Sequence, residues 1–194
     1  MDTIYLEWTG IRPLLHSNGM LVDPLNLYVI RIKEMTDKGS RKMTEADHRA
    51  VDRLKWEGAL YFDDKIGPFM PNDNIEACLI DGAAKFRKAK AMESAATVVD
   101  EIVKLDYDGP RTIEALYAAE RFALRKRTKL GVIACRPMFP TGWRIRFQVE
   151  FDDSVISRKH IVNAATAAGR LVGLGAWHPK FGRFLSEEVK PPKK

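Results

Sequence analysis

Cysteine is scarce. The 194 residues hold two, Cys78 and Cys135, far apart and each in apolar surroundings. No disulfide framework and no metal-ligand spacing can be drawn from them, so two reduced, buried thiols are expected. Long apolar runs are missing as well. Nothing approaches the roughly eighteen residues that would cross a membrane. The opening Met1-Asp2-Thr3 enters strand-like sequence without the basic-then-apolar pattern of a signal peptide. The expectation is a cytoplasmic chain with no membrane partner. P-loop, dinucleotide and G-x-S-x-G fingerprints are absent too, which argues against nucleotide-dependent and serine-hydrolase chemistry. No cofactor and no metal are expected, and the adjacent acids Asp63 and Asp64 read as a solvated turn.

Charge is plentiful. Charged residues make up 30% of the chain and hydrophobic ones 45%, the balance of a globular protein. There are 32 lysines and arginines against 26 acids, for a net charge of +6. Their placement says more than the total. Lys85, Arg87, Lys88 and Lys90 form one cluster, Arg125, Lys126, Arg127 and Lys129 a second, and Lys190, Lys193 and Lys194 end the chain. Clusters of this kind suit an anionic partner, nucleic acid first among them.

Strand and helix periods alternate along the sequence. Ile4, Leu6 and Trp8 alternate with Tyr5, Glu7 and Thr9, as in a half-buried strand. Residues 25–36 read as a helix, and Thr44-Glu45-Ala46-Asp47 resembles a capping box opening a second one, with Ala46, Ala50 and Leu54 inward. These two helices, about 25–60, read as an insertion. Asn72 or Asn74 suits the N-cap of a helix with Ile75, Leu79 and Ala83 on one face. Residues 85–130 are the least decided stretch, an insertion or loop, with a short apolar segment at Val98–Leu105 and a helix from Thr112 to about Leu124. From Trp143 to Phe151 every odd position is apolar and every even one polar, the signature of a strand over a core. Ser157 then caps a helix whose buried stripe is Ile161, Ala164, Ala165, Ala168 and Val172. A last strand spans Phe181–Val189. The fold class expected is α+β: one domain, 1–194, with an antiparallel sheet and helices on one face.

Between that last helix and strand lies the stretch richest in glycine. Gly169, Gly173, Gly175 and Gly182 are interleaved with Arg170, Trp177, His178, Lys180 and Arg183. Peptide N–H groups and cations there suit phosphates, and an aromatic suits a base. A tight helix-to-strand crossover would use the same glycines. Arg144 and Arg146, on the polar side of the best strand, lie where an open sheet face takes nucleic acid.

Three segments resemble one superfamily in this order. Leu6-Glu7-Trp8-Thr9-Gly10-Ile11-Arg12-Pro13-Leu14-Leu15 resembles the first strand of the RAMP proteins, guide-RNA-binding subunits of CRISPR effector complexes. Pro68 to Leu79 resembles their proline–polar–helix segment, and Gly173 to Gly182 their glycine-rich loop. The chain is also similar to uncharacterised phage-encoded proteins of about this length. It departs from the family at Asn72-Asp73, where glycine-serine is usual, and at His178-Pro179, where an arginine or serine is. The resemblance implies an RRM-like, ferredoxin-type fold with a helical insertion, in a subunit that grips single-stranded RNA and stacks along it. It also implies a low-weight catalytic reading, with His16 as general base of an RNA endonuclease. The functional expectation is therefore single-stranded RNA or DNA binding without catalysis, with self-association along the strand. Alternatives are a phage inhibitor that engages CRISPR subunits and a virion component. The residues expected at the interface are Lys85, Arg87, Lys88, Arg125, Lys126, Arg127, Lys129, Arg144, Arg146, Arg170, Trp177, His178, Lys180 and Arg183.

Overall fold

The structure, a computed structural model, describes every residue except 38, 40, 41, 128–132 and 192–194. Along the chain, β1 (Asp2–Gly10) and β2 (Leu14–Leu15) lead to α1 (Leu27–Thr36) and α2 (Glu45–Ala59). Next come β3 (Phe62–Asp63), β4 (Gly67–Pro71), α3 (Asn72–Ala84), α4 (Ala89–Ala95), β5 (Ala96–Val98) and β6 (Ile102–Lys104). They are followed by α5 (Ile113–Ala118), β7 (Ala123–Arg127), β8 (Ile133–Phe139), β9 (Arg144–Phe151), α6 (Arg158–Ala167) and β10 (Phe184–Glu188). The chain divides into two compact units, and each is discontinuous in sequence.

The first unit comprises Met1–Leu15, Asp63–Asp108 and Phe139–Lys194. Its main sheet has the order β10-β1-β9-β5, with each neighbouring pair antiparallel. With α3 between β1 and β5, and α6 between β9 and β10, this is the split β-α-β of a ferredoxin-like fold. One face is apolar because the strands alternate: Ile4, Leu6 and Trp8 of β1 and Ile145, Phe147, Val149 and Phe151 of β9 are all buried. Ile75, Leu79 and Ala83 of α3 and Ile161, Ala164 and Ala165 of α6 are buried too, and supply the helical layer. Trp8 anchors this core, stacked on Phe184 with ring centroids 4.0 Å apart and edge-on to Phe147 at 4.9 Å. The two helices meet closely at Gly82, where a Cβ would lie 2.9 Å from the Ala168 Cβ and run into the Ala164 carbonyl. Glycine there sets the spacing of the layer.

The second unit comprises His16–Phe62 and Gly109–Met138, so the insertion expected at about 25–60 belongs to it, whereas the stretch expected as an insertion or loop at about 85–130 is divided, with residues 85–108 in the first unit. Thr44 and Asp47 form the expected capping box at the start of α2. The inward face of α2 is not the one expected. Of the residues expected inward Ala46 is exposed and Ala50 and Leu54 are half-buried, and Val51, Trp56 and Ala59 are the buried ones, with the large Trp56 ring setting the phase. The Trp56 Nε1 donates to the Phe122 carbonyl at 3.1 Å. A Cβ at Gly58 would stand 2.6 Å from Leu21 and 3.0 Å from Tyr28, so glycine lets those two side chains pack onto α2. The helix expected through Leu124 stops at Ala118, and the basic run that follows is strand, β7, paired antiparallel with β8. Among the described residues, no helix is long and apolar enough to cross a membrane.

Candidate nucleic-acid interface

The glycine stretch is built into the end of the sheet where β1 finishes. The Gly10 N–H donates to the Trp143 carbonyl at 2.8 Å and the Gly142 N–H donates to the Gly10 carbonyl at 2.9 Å, and a Cβ at Gly10 would collide with the Trp143 indole. The indole N–H donates to the Arg12 carbonyl at 2.8 Å, fixing the chain just beyond β1. Ile11 and Arg12 both donate their N–H to the Arg183 carbonyl, at 2.8 and 3.1 Å, and Gly182 donates to the Pro13 carbonyl at 2.8 Å. Residues 10–13 are thus joined to the end of the glycine loop.

The glycines themselves serve this crossover. Gly175 and Gly182 have φ of 76° and 70°, where a side chain strains the backbone, and a Cβ on either would strike a carbonyl, of Leu15 or of Leu174. The amides of Gly173, Leu174, Ala176 and Gly182 donate to the carbonyls of Ala168, Gly182, Leu15 and Pro13. Those donors are therefore taken up within the fold.

The side chains make a groove of about 480 Å³ lined by Arg12, Pro13, Pro179, Lys180, Phe181 and Arg183. Arg12 and Lys180 are exposed, and Arg183 is half-buried with its Nε donating to the Pro179 carbonyl at 3.0 Å. Among the described residues no carboxylate forms an ion pair with these three cations. Trp177 is half-buried, with φ of 56° and its ring 6.2 Å from Phe181, and it borders the groove-lining segment. A cis peptide links the exposed His178 and Pro179. No protein-family model matches the chain, and no curated protein does.

The structure separates the other expected residues. Arg170 is exposed in the wide turn Ala168–Val172 after α6 and does not line the groove. Lys85, Arg87 and Lys88 follow the C-terminus of α3, which runs back against β1, so they lie at the opposite end of the sheet. The thirteen residues of α3 put roughly 20 Å between the two ends. Phe86, within that cluster, is 50% exposed, an aromatic among cations that the charge pattern alone did not single out.

On the open face of the sheet Arg146 forms an ion pair with Glu7, whose other cross-strand neighbour is Glu187. Its charge is already balanced there. Arg144 is exposed at the end of β9, nearest the groove-bearing end. In the second unit Arg125 is paired with Asp52 of α2, and Lys126 is exposed on β7. Lys129 and the side chain of Arg127 lie outside the described residues.

His16 is wholly buried, and its Nδ1 accepts the Tyr61 N–H at 3.3 Å. Burial lowers its pKa to about 3, so the imidazole is neutral at ordinary pH. Such a group bonds the backbone and does not face a substrate. Cys78 is buried as expected, but Cys135 is half-buried, because β8 presents it from a hairpin instead of a core. Sequence reasoning passed over Arg12 and Phe181 as binding residues. The signal was present in Gly10-Ile11-Arg12-Pro13, a cation directly after a strand that ends in glycine, but its partner segment lies some 170 residues further on.

Proposed function

We propose that the protein binds single-stranded nucleic acid through its phosphate backbone, with the groove of Arg12, Lys180 and Arg183 as the anchoring contact. The observation that carries this reading is the convergence of three unpaired cations, from two distant segments, on a groove floored by proline and Phe181. Guanidinium and ammonium groups hold phosphates, and Phe181 or Trp177 offers a ring to a base. Lys85, Phe86, Arg87 and Lys88 form a second basic and aromatic station about 20 Å away, a span of a few nucleotides. Backbone contacts of this type carry little base information, so sequence preference is low. A ferredoxin-like unit is the fold that the RAMP resemblance implies, and the fold alone leaves the function to the site.

Fluorescence anisotropy with labelled single-stranded RNA, single-stranded DNA and duplex, across a salt series, tests the reading. Three phosphate contacts give a log–log salt slope for a single strand of about −2 from this groove alone. Changing Arg12, Lys180 and Arg183 together to alanine removes that share of the slope and most of the affinity. Absence of binding at low salt, or binding that the triple variant leaves intact, overturns the proposal.

A further inference from the structure

The segment from Gly19 to Ile30, within the second unit, is ordered but uneven in what it covers. Its inward side is satisfied, since Leu21 and Tyr28 pack onto Gly58 of α2. Asn18 and Asn26 cap its two helical turns through side-chain bonds to Met20 and Tyr28. Its outward side is another matter. Met20 is 54% exposed, Val22 88%, Leu25 80%, Leu27 69% and Ile30 37%, and α1 buries none of its residues. In twelve residues of a chain that is 30% charged, Asp23 is the one charged side chain. Those exposures amount to roughly 600 Å² of apolar surface, at the top of the range for the largest patch of an ordinary monomer.

We propose that this face is the contact through which two copies of the chain associate. Three features select a second copy over other occupants. No cation lies among the apolar residues of Gly19–Ile30, and Arg31 stands alone at the end of the face, too little charge to hold a nucleic acid or an anionic lipid surface. Two such patches bury about 1,200 Å², the lower bound of a specific protein–protein contact. The ends of the patch also differ in charge, with Asp23 near its start and Arg31 following its end on the exposed stripe of α1. A two-fold axis runs the two segments antiparallel and sets each Asp23 toward the partner's Arg31-bearing end, the self-complementary arrangement of an isologous dimer. The inference is independent of nucleic-acid binding and is tested without it.

Sedimentation velocity of the full chain, over about a hundredfold range in the micromolar region, gives the direct test. A monomer–dimer equilibrium is expected. Leu25→Glu with Leu27→Glu raises the dissociation constant at least tenfold, whereas Leu171→Glu, exposed in the other unit, leaves it unchanged. All three positions are exposed, and circular dichroism melts check that the variants remain folded. In a Cys135→Ser background, Leu27→Cys, midway between Asp23 and Arg31 where the two-fold axis falls, cross-links to its own copy under mild oxidation, and Met20→Cys at the end of the segment does not. A chain that stays monomeric throughout, a Glu pair that dimerises like the parent, or the opposite cross-linking pattern overturns the proposal.

Discussion

Replacing Gly82 by alanine sets two effects of opposite sign against each other. Alanine in a helix interior is favoured over glycine by about 1 kcal/mol, so propensity alone predicts a stabilised protein. Packing predicts the reverse. The added methyl would lie against the Ala164 carbonyl and only 2.9–3.0 Å from the Cβ and N of Ala168, all of them on α6 or its continuation. These atoms are not ends of flexible side chains. Relief requires α3 and α6 to move apart by about 1 Å, which loosens contacts along the whole seam; overpacking of this kind costs about 1–3 kcal/mol. With backbone as the obstacle the upper part of that range applies, and the net is about 2 kcal/mol of destabilisation. Urea unfolding followed by tryptophan emission reads it, since three of the four tryptophans, Trp8, Trp143 and Trp177, lie in the first unit. A midpoint lowered by roughly 1 M is expected. Ala77→Gly, at an exposed position of the same helix, serves as control and loses about 1 kcal/mol through propensity. A midpoint for Gly82→Ala equal to or above the parent would refute the close crossing.

Acid provides a second perturbation. Because burial holds His16 at about 3 against an ordinary 6.5, the unfolded chain takes up a proton below pH 6.5 that the folded chain refuses. The stability this residue contributes is complete above pH 6.5 and falls by about 1.4 kcal/mol per unit on the way down to its folded pKa. His16→Gln should flatten the acid limb by one proton, and identical limbs in the two proteins would count against a neutral buried imidazole. Burial, with Asp81 adding to it, raises the Cys78 thiol pKa, so a thiol reagent at pH 8 should reach Cys78 only when urea is added. Rapid labelling of both cysteines in the native chain would contradict that placement. Gly182→Ala, strained at φ of 70° and opposed by the Leu174 carbonyl, should weaken both stability and any binding at the groove, whereas exposed Gly19→Ala should change neither.

Elements that carry their own periodicity were readable from the sequence. The alternation in Trp143–Phe151 and Ile4–Trp8 marks strands whose inward residues are those buried, and Ile75, Leu79 and Ala83 mark the face of α3 that packs. Where two signals compete, the order of the chain misleads. Arg125-Lys126-Arg127 has no apolar alternation, and it is strand because β8 pairs with it across the hairpin. The apolar stretch Val98–Leu105 divides between two sheets, β5 against β9 and β6 against β4, a choice made by distant partners. The glycine loop was legible as a special place, but its amides proved to be committed to Pro13 and Leu15. Arg12 became part of the groove only through the Trp143 indole and the Arg183 carbonyl, contacts that span more than 130 residues. No local pattern encodes such a meeting.

The order of the main sheet has a consequence for how the chain comes to be folded. β1 is an inner strand, flanked by β9 and β10, yet it is synthesised well before either of them. Its hydrogen-bonding edges have no strand partners until residues 144–188 have been made. The connection that intervenes between β1 and β9 holds the whole second unit, so loop closure over this distance must precede the central pairing, and folding of the first unit is correspondingly slow. During synthesis this inner strand therefore waits unpaired for its neighbours, and an unpaired strand edge is a point of aggregation that a nascent-chain chaperone would cover.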